Sequence, residues 1–594
     1  MPRRLMGLFL LFLVACAGRR TRPVDPLEVD LHRARISKVR HAIAETRSVL
    51  ASTVGEVHQP ELTMRLAELT SEEARHHYLV ALARQKGRAE ALHLPQVRLL
   101  KEQAIGIYRT LLARWPDGEL ADRAQFAISQ EQRELGQIEA MTQTLAELLE
   151  RFPDSPFRGE SLLLLGNHHY DKGRLTEARE RYLQLLALDD PELNGMAQYK
   201  LAWVYVNQGV CDKAVYRFER ALLAERSRPA HDVAAQVGTG RWTDDGEAFA
   251  VPSTPRSLDD VTADEALDVS REALVDVTFC YAQVGDPKTA VAYFRKWAPS
   301  RAAYVAALGK MARRYATVEQ PLGAANVSRE LLRLGPDAPE RIDDGRLLHS
   351  TLTKTQDFSR VGDDVTRLLE IAGRRRMAPE LAGEQREQLM REFEGLTRDL
   401  LLRAHRMAEE GGTSPWTDRP TDRDQTITGY LAWQRTFPAA EDAGDLYANV
   451  AELLLDAERP LEAAERFERA ADAYGREEKP REAADARYQA AFAYQQSLGA
   501  SESRVDTVLA RAGLRRVGGA WLATASDSPQ ARAMAFSIAR SYHEEGNHAA
   551  AVDLLTAVAW AYPQFEEGQA AAMLVLDAHY ALNQLTGLLR AGQR

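Results

Sequence analysis

The stretch LLLLGNHHYDKGRLTEARERYLQLL, residues 162–186, decides the fold. It contains a fixed order of large, small and aromatic residues, namely Leu165, Gly166, Gly173, Ala178 and Tyr182. Two antiparallel helices can approach closely where both carry small residues, and an aromatic ring then fills the space beside them. A glycine between the helices closes the turn. The stretch therefore predicts a helical hairpin that must bury one face against a neighbour.

The same order of residues recurs along the chain at a period of about 34 residues. The next unit keeps the register and contains Leu201, Ala202, Tyr205, Gly209, Ala214, Phe218 and Ala221. Later units contain Val277, Tyr281, Gly285, Ala290 and Phe294, then Tyr447, Ala451, Leu454, Ala463, Phe467 and Ala470, and finally Ala539, Tyr542, Gly546, Ala551, Leu555 and Pro563. The order and spacing resemble the tetratricopeptide repeat. The resemblance implies an all-α fold, a tetratricopeptide-repeat α-solenoid built from stacked helix pairs.

Weaker units extend the array and define its boundaries. They contain Ala104, Tyr108 and Leu111, then Gly136, Leu145 and Leu148, and later Tyr315, Ala324 and Leu331. The predicted order is an N-terminal helical segment (27–93), a repeat array (94–225), an irregular insertion loop rich in Gly, Pro and Asp (226–262), a degenerate array (263–372), a helical spacer and linker (373–426) and a C-terminal array (427–594).

The first 26 residues have the pattern of a bacterial lipoprotein leader. Arg3 and Arg4 precede an apolar run at residues 5–14, which is too short to span a bilayer. Residues 13–16 (LVAC) resemble the lipobox, which implies that a signal peptide (1–15) is removed and that Cys16 is lipidated. Residues 16–26 then form a polar tether. Because Ala17 replaces the aspartate that commonly retains lipoproteins in the inner membrane, the resemblance implies a location at the outer membrane, facing the periplasm.

Composition and motifs exclude several classes of function. The 76 lysines and arginines are outnumbered by 86 aspartates and glutamates, and the net charge of −10 argues against nucleic acid as a partner. The sequence contains no P-loop, HExxH, GxSxG or strand-associated GxGxxG motif. The adjacent pairs His76–His77 and His168–His169 point to different helix faces, so solvated or groove-lining histidines are expected. We therefore expect no enzyme, no cofactor, no metal and no small-molecule substrate.

The repeat geometry also predicts a protein-binding surface. Helix A positions that are not taken by packing face the concave groove, and they are occupied by Leu163, Asn167, Tyr170, Tyr199, Trp203, Asn207, Val275, Phe279 and Gln283. Exposed aromatic and amide side chains are suited to anchoring a partner. The alternative interpretation is that neighbouring helices cover Trp203 and Phe279 and make them part of the core.

Two cysteines remain after the lipobox. Cys211 is expected at the start of helix B of one repeat, and Cys280 is expected within helix A of the next. A disulfide needs Cα atoms within about 7 Å. A tip position and a mid-helix position are poorly placed for this, so the sequence favours two free, buried thiols. The alternative is a disulfide, which would suit an oxidising periplasm.

A repeat array without a catalytic motif indicates a scaffold that binds other proteins. The phrase AELTSEEARHHY (67–78), followed by the array, resembles tetratricopeptide lipoproteins of the myxobacterial gliding machinery, which implies envelope proteins as partners. The phrase RFPDSPFRGESLLLLG (151–166) is similar to linkers in adaptors of outer-membrane protein assembly and cell-division coordination, which is the alternative. A third hypothesis is an enzymatic or substrate-binding site in the 226–262 insertion. The sequence does not identify the partner proteins.

Overall fold

The computed structural model describes residues 26–53, 57–84, 94–227, 269–500 and 503–593. Regular structure in these residues is helical, apart from one isolated antiparallel bridge between Thr413 and Pro420. The predicted all-α repeat fold is confirmed. The signal peptide, Cys16 and nearly all of the 226–262 insertion lie outside the described residues, so the expectations for them stay predictions.

The chain divides into two compact units, residues 1–284 and 285–594. This division falls within the degenerate array predicted for residues 263–372. The helices of the first unit are α1 (Pro26–Ser52), α2 (Gln59–Arg84), α3 (Pro95–Arg114), α4 (Ala121–Glu134), α5 (Ile138–Arg151), α6 (Arg158–Asp171), α7 (Leu175–Leu186), α8 (Asn194–Asn207), α9 (Cys211–Ser227), α10 (Val269–Asp276) and α11 (Thr278–Val284).

The first unit is built by sequential packing, in which each helix from α1 to α9 contacts the next one along the chain. Helices α10 and α11 both pack against α9. The N-terminal segment consists of two long helices, α1 and α2, which share an apolar contact formed by Val39, Ile43, Leu66 and Leu69. The described part of the N-terminal segment is therefore a helical hairpin.

The helices of the second unit are α12 (Ala290–Trp297), α13 (Arg301–Thr317), α14 (Pro321–Leu334), α15 (Arg341–Thr355), α16 (Val361–Arg376), α17 (Gly383–Glu409), α18 (Arg423–Thr436), α19 (Ala443–Asp456), α20 (Pro460–Arg476), α21 (Pro480–Ala500), α22 (Arg504–Gly513), α23 (Gly519–Leu522), α24 (Pro529–Glu544), α25 (His548–Ala561), α26 (Glu566–Ala581) and α27 (Leu585–Gly592). A π-helical turn, Leu514–Gly518, joins α22 to α23.

The predicted spacer is integrated into the core of the second unit. Phe393, Leu400 and Leu401 of α17 are fully buried in one apolar cluster that runs from Ala325 to Met534. Helix α17 packs against α15, α16 and α18. Within the predicted spacer, residues 377–382 and the stretch between Glu409 and Arg423 are irregular.

Close approach of paired helices depends on glycines that lie under tyrosine rings. A Cβ atom added to Gly166 would lie 2.5 Å from Cε1 of Tyr182, which is closer than real Cβ atoms come to other atoms. The small and aromatic positions predicted from the 162–186 stretch therefore contact each other directly. The same arrangement is found for Gly323 with Tyr315, Gly444 with Tyr474 and Gly513 with Tyr494.

The turns within helix pairs share a residue in the left-handed region. Glycine occupies this position after α4, α6, α8 and α24, at Gly136, Gly173, Gly209 and Gly546, where φ lies between 69° and 83°. Glycine adopts such a conformation without steric cost. Other turns use residues with a side chain, namely Glu319, Gln356, Glu458, Glu478 and Asn583.

Candidate protein-binding groove

The predicted groove residues are carried by α6, α8, α10 and α11, all in the first unit. Leu163, Asn167 and Tyr170 on α6 are half-buried. The amide of Asn167 accepts a hydrogen bond from the Tyr182 hydroxyl through Oδ1, at 2.8 Å. The amide of Asn207 on α8 donates from Nδ2 to the Tyr170 hydroxyl, at 2.6 Å. Hydrogen bonds therefore fix the two amides and the Tyr170 hydroxyl.

A buried carboxylate lies at the centre of the predicted groove residues. Asp276, the last residue of α10, is 7% exposed. Its Oδ2 accepts a hydrogen bond from the Tyr199 hydroxyl at 2.7 Å and a second from Nε1 of Trp203 at 3.1 Å. The ring of Phe279 meets Trp203 edge-on, with the ring centroids 5.3 Å apart. We call Tyr199, Trp203, Asp276 and Phe279 the aromatic cluster.

Burial and charge both act on the aromatic cluster. Burial raises the pKa of the Tyr199 hydroxyl, and the neighbouring charge of Asp276 raises it further. The hydroxyl therefore remains a proton donor to Asp276 throughout the physiological pH range. Burial raises the pKa of Tyr170 as well. Neither hydroxyl should therefore lose its proton in this range.

The structure corrects part of the groove assignment. Tyr199 is 8% exposed and Val275 is 6% exposed, so neither side chain is available to a partner. The Tyr199 hydroxyl donates to Asp276 on α10, which holds this side chain inside the unit. Leu163, Asn167, Tyr170, Trp203 and Phe279 are half-buried, while Asn207 and Gln283 are exposed. Seven of the nine residues therefore keep some accessible surface.

Sequence reasoning missed Asp276 because nothing in the repeat pattern distinguishes it from other acidic residues. The available signal was its position one residue after Val275, a residue assigned to the groove. A carboxylate among aromatic and amide side chains is a candidate hydrogen-bond acceptor. Recognising it required knowledge of which helices face each other.

The expectation for the cysteines is wrong. Cys211 and Cys280 form a disulfide, with Cα atoms 4.8 Å apart. Cys280 was expected in the middle of a helix, but the helix is interrupted at Val277 and Cys280 lies in the first turn of α11. Cys211 is the first residue of α9. The first turns of α9 and α11 therefore lie next to each other, which brings the two sulfur atoms within bonding distance.

The expectation for the first histidine pair also needs correction. His76 is 7% exposed, and its Nδ1 lies 3.2 Å from Nδ1 of His32 on α1, which is buried as well. The long N-terminal helices cover this residue, so it is neither solvated nor in a groove. Burial and the proximity of His32 lower the pKa of His76. His168 and His169 are half-buried on α6.

Comparison with known proteins gives no family assignment. No protein-family model matches the chain, and no curated protein matches it. A solved structure of Naa15/Naa10 bound to HypK-THB is 13% identical, with 94% of this chain and 80% of the other chain covered and a TM-score of 0.29. The TPR domain of P58(IPK) is 12% identical over 72% of this chain and 99% of the other, with a TM-score of 0.18. The fold class therefore rests on the helix pairs described above.

Proposed function

We propose that this chain is an outer-membrane-anchored periplasmic scaffold that binds partner proteins through its repeat groove. The supporting observation is the succession of a stretch that resembles the lipobox, residues 13–16, and a helical-repeat array from residue 95 onward. Helical-repeat arrays present extended surfaces to other proteins. The scaffold would belong to a multi-protein envelope machine, with the gliding-motility apparatus as the leading candidate.

One structural feature supports the proposed compartment. A disulfide between Cys211 and Cys280 suits an oxidising compartment such as the periplasm. None of the described helices is long and apolar enough to cross a membrane. The resemblance to the lipobox makes lipid on Cys16 the anchor to be tested, and a lipoprotein carries enough acyl chains for stable attachment.

The anchor is tested by replacing Cys16 and separating the membranes. Cys16→Ala should leave the protein uncleaved or release it from outer-membrane fractions. Ala17→Asp is the matched control, because it keeps the lipid and should instead move the protein to the inner membrane. A Cys16→Ala protein that remains in the outer membrane after a high-salt wash would contradict the lipid anchor.

The groove is tested by capture of partners from detergent-solubilised envelopes. Replacing the exposed residues Asn207 and Gln283 with alanine should weaken capture without affecting folding. Tyr216→Ala is the control, because Tyr216 is an exposed aromatic on α9 that was not assigned to the groove. Motility proteins in the captured set, and loss of movement with normal growth on deletion, would support the gliding machinery. Assembly or division proteins would support the alternative, and equal capture by all variants would contradict the groove.

A further inference from the structure

Three potential metal ligands of the second unit converge at the ends of two helices. His405 and Glu409 are four residues apart near the end of α17, so they lie on the same helix face. Glu452 comes from α19. Each residue offers one ligand atom, and these atoms all lie within 4.8 Å of one another. Nε2 of His405 is 3.2 Å from Oε1 of Glu409.

The imidazole of His405 is held in one orientation. Its side chain is only 9% exposed, and its ring meets the fully buried Tyr430 edge-on, with ring centroids 5.9 Å apart. The Nδ1 atom is buried and has no hydrogen-bond partner among the described residues. Nε2, the ring nitrogen that lies next to the Glu409 carboxylate, is the atom available to an ion.

The electrostatic environment favours a bound cation. Glu409 is the last residue of α17, and Glu452 lies close to the end of α19, which has no basic residue in its last turn. Carboxylates are unfavourable there, because the carbonyl end of a helix carries a partial negative charge. A cation between the carboxylates would relieve this repulsion.

We propose that His405, Glu409 and Glu452 bind a divalent transition-metal ion of the zinc class. One imidazole nitrogen and two carboxylate oxygens are ligands that zinc accepts, and a water can take the fourth position. Calcium and magnesium prefer oxygen ligands alone. Ligand atoms on a tetrahedral zinc ion are roughly 3.3 Å apart, which the His405–Glu409 pair already matches. The exposed carboxylate of Glu452 completes the set by a side-chain rotation, and the ion then links α17 to α19.

The experiment is a calorimetric titration of the purified full chain with Zn²⁺ and, separately, with Mg²⁺. We expect one saturable Zn²⁺ site that Mg²⁺ does not occupy. Glu409→Gln and Glu452→Gln should weaken it by about tenfold or more, since even residues behind metal ligands change affinity by that amount. Both glutamates are exposed, so these variants should fold normally, which circular dichroism would verify.

The control is Glu410→Gln, an exposed glutamate next to the site that is not one of the three ligands. It should bind Zn²⁺ like the unmodified protein. A second readout is the melting temperature, which Zn²⁺ should raise in the unmodified protein and in Glu410→Gln but not in Glu452→Gln. Absence of Zn²⁺ binding, or equal binding and equal thermal stabilisation in Glu452→Gln, would overturn the proposal.

Discussion

Three glycines of the first unit lie in physically different environments, which substitution can separate. Gly166 lies under the ring of Tyr182, so a side chain has no room. Gly173 has open space around it but adopts a φ of 71°, which side chains disfavour. Gly106 lies on the exposed side of α3, also with open space, and has an ordinary helical conformation.

Alanine at these positions should therefore change stability in opposite directions. We expect Gly166→Ala to destabilise the first unit by about 1–3 kcal/mol through overpacking. Gly173→Ala should destabilise it by about 1–2 kcal/mol through the left-handed backbone. Gly106→Ala should stabilise it by about 1 kcal/mol through helix propensity. Urea unfolding of the three proteins measures these changes, and a common sign for all three would contradict the assignment.

The sequence allows two interpretations of Trp203, as a groove residue or as a core residue. Its surroundings in the structure are intermediate between the two. The indole is half-buried, donates to Asp276 and packs against Phe279. Truncation of a groove residue should leave the free energy of unfolding nearly unchanged. Replacing a fully buried tryptophan by alanine lowers the free energy of unfolding by about 3–5 kcal/mol. The contacts of Trp203 indicate a structural contribution together with an accessible edge.

We expect Trp203→Ala to lower the free energy of unfolding by about 2 kcal/mol, part of the full burial cost. Trp203→Phe keeps a ring but removes the donor to Asp276, and should lower it by about 1 kcal/mol. The exposed Tyr216→Ala serves as the reference and should stay within about 0.5 kcal/mol. Chemical denaturation measures all three, and unchanged stability of Trp203→Ala would restore the groove-only interpretation.

At the scale of elements, the α1–α2 hairpin contains the buried pair His32 and His76. Burial is the largest effect that opposes protonation of His76. His32, Arg35 and Arg75 oppose it as well, while Glu72 favours it. Its pKa in the folded chain therefore lies below the ordinary 6.5. Near pH 6 the unfolded chain binds more protons at this site than the folded chain, so stability rises with pH in this range.

The hairpin should therefore be fully stable above about pH 6.5 and lose stability as the pH falls through 6.5 toward the lower pKa of the folded state. Amide hydrogen exchange in α1 and α2, corrected for the intrinsic exchange rate, should be faster at pH 5.5 than at pH 7.5. His76→Gln should reduce this difference. His41→Gln, at an exposed histidine of α1, should leave it unchanged, and an unchanged difference in His76→Gln would contradict the assignment.

The repeat positions could be predicted from sequence because they depend on local spacing. Ala178, Tyr182, Ala214 and Phe218 are all fully buried, as the small and aromatic positions require. Contacts between helices far apart in the chain could not be predicted, because they depend on register. Asp276 meets Tyr199 across 77 residues, and His76 meets His32 across 44. The helix break at Val277 could not be predicted either, because the apolar sequence pattern continues through this residue.

For the whole molecule, the disulfide makes the two units respond differently to reductant. Cys211 and Cys280 both belong to the first unit, and residues 285–594 contain no cysteine. A cross-link between residues 69 positions apart should stabilise a folded chain by about 4 kcal/mol through the entropy of the unfolded state. The second unit therefore provides an internal control.

Reductant should lower the melting temperature of the first unit and leave that of the second unchanged, as followed by hydrogen exchange on heating. The double variant Cys211→Ser with Cys280→Ser should behave like the reduced protein and no longer respond to reductant. Peptide mass mapping without reductant should recover both cysteines in one cross-linked species. Alkylation of both thiols in the unreduced, denatured protein would contradict the disulfide.

Three turns of the second unit place a glutamate in the left-handed region, so substitution at these turns should increase the stability of the protein. Glu319, Glu458 and Glu478 adopt φ values of 56° to 57°, where asparagine and glycine are better tolerated than glutamate. Natural chains rarely reach their stability optimum, and several small gains of this kind can be combined. Asparagine at all three turns should raise the free energy of unfolding of the second unit without altering any helix face. Such a variant would be a better bait for weak partners that are lost during long purifications.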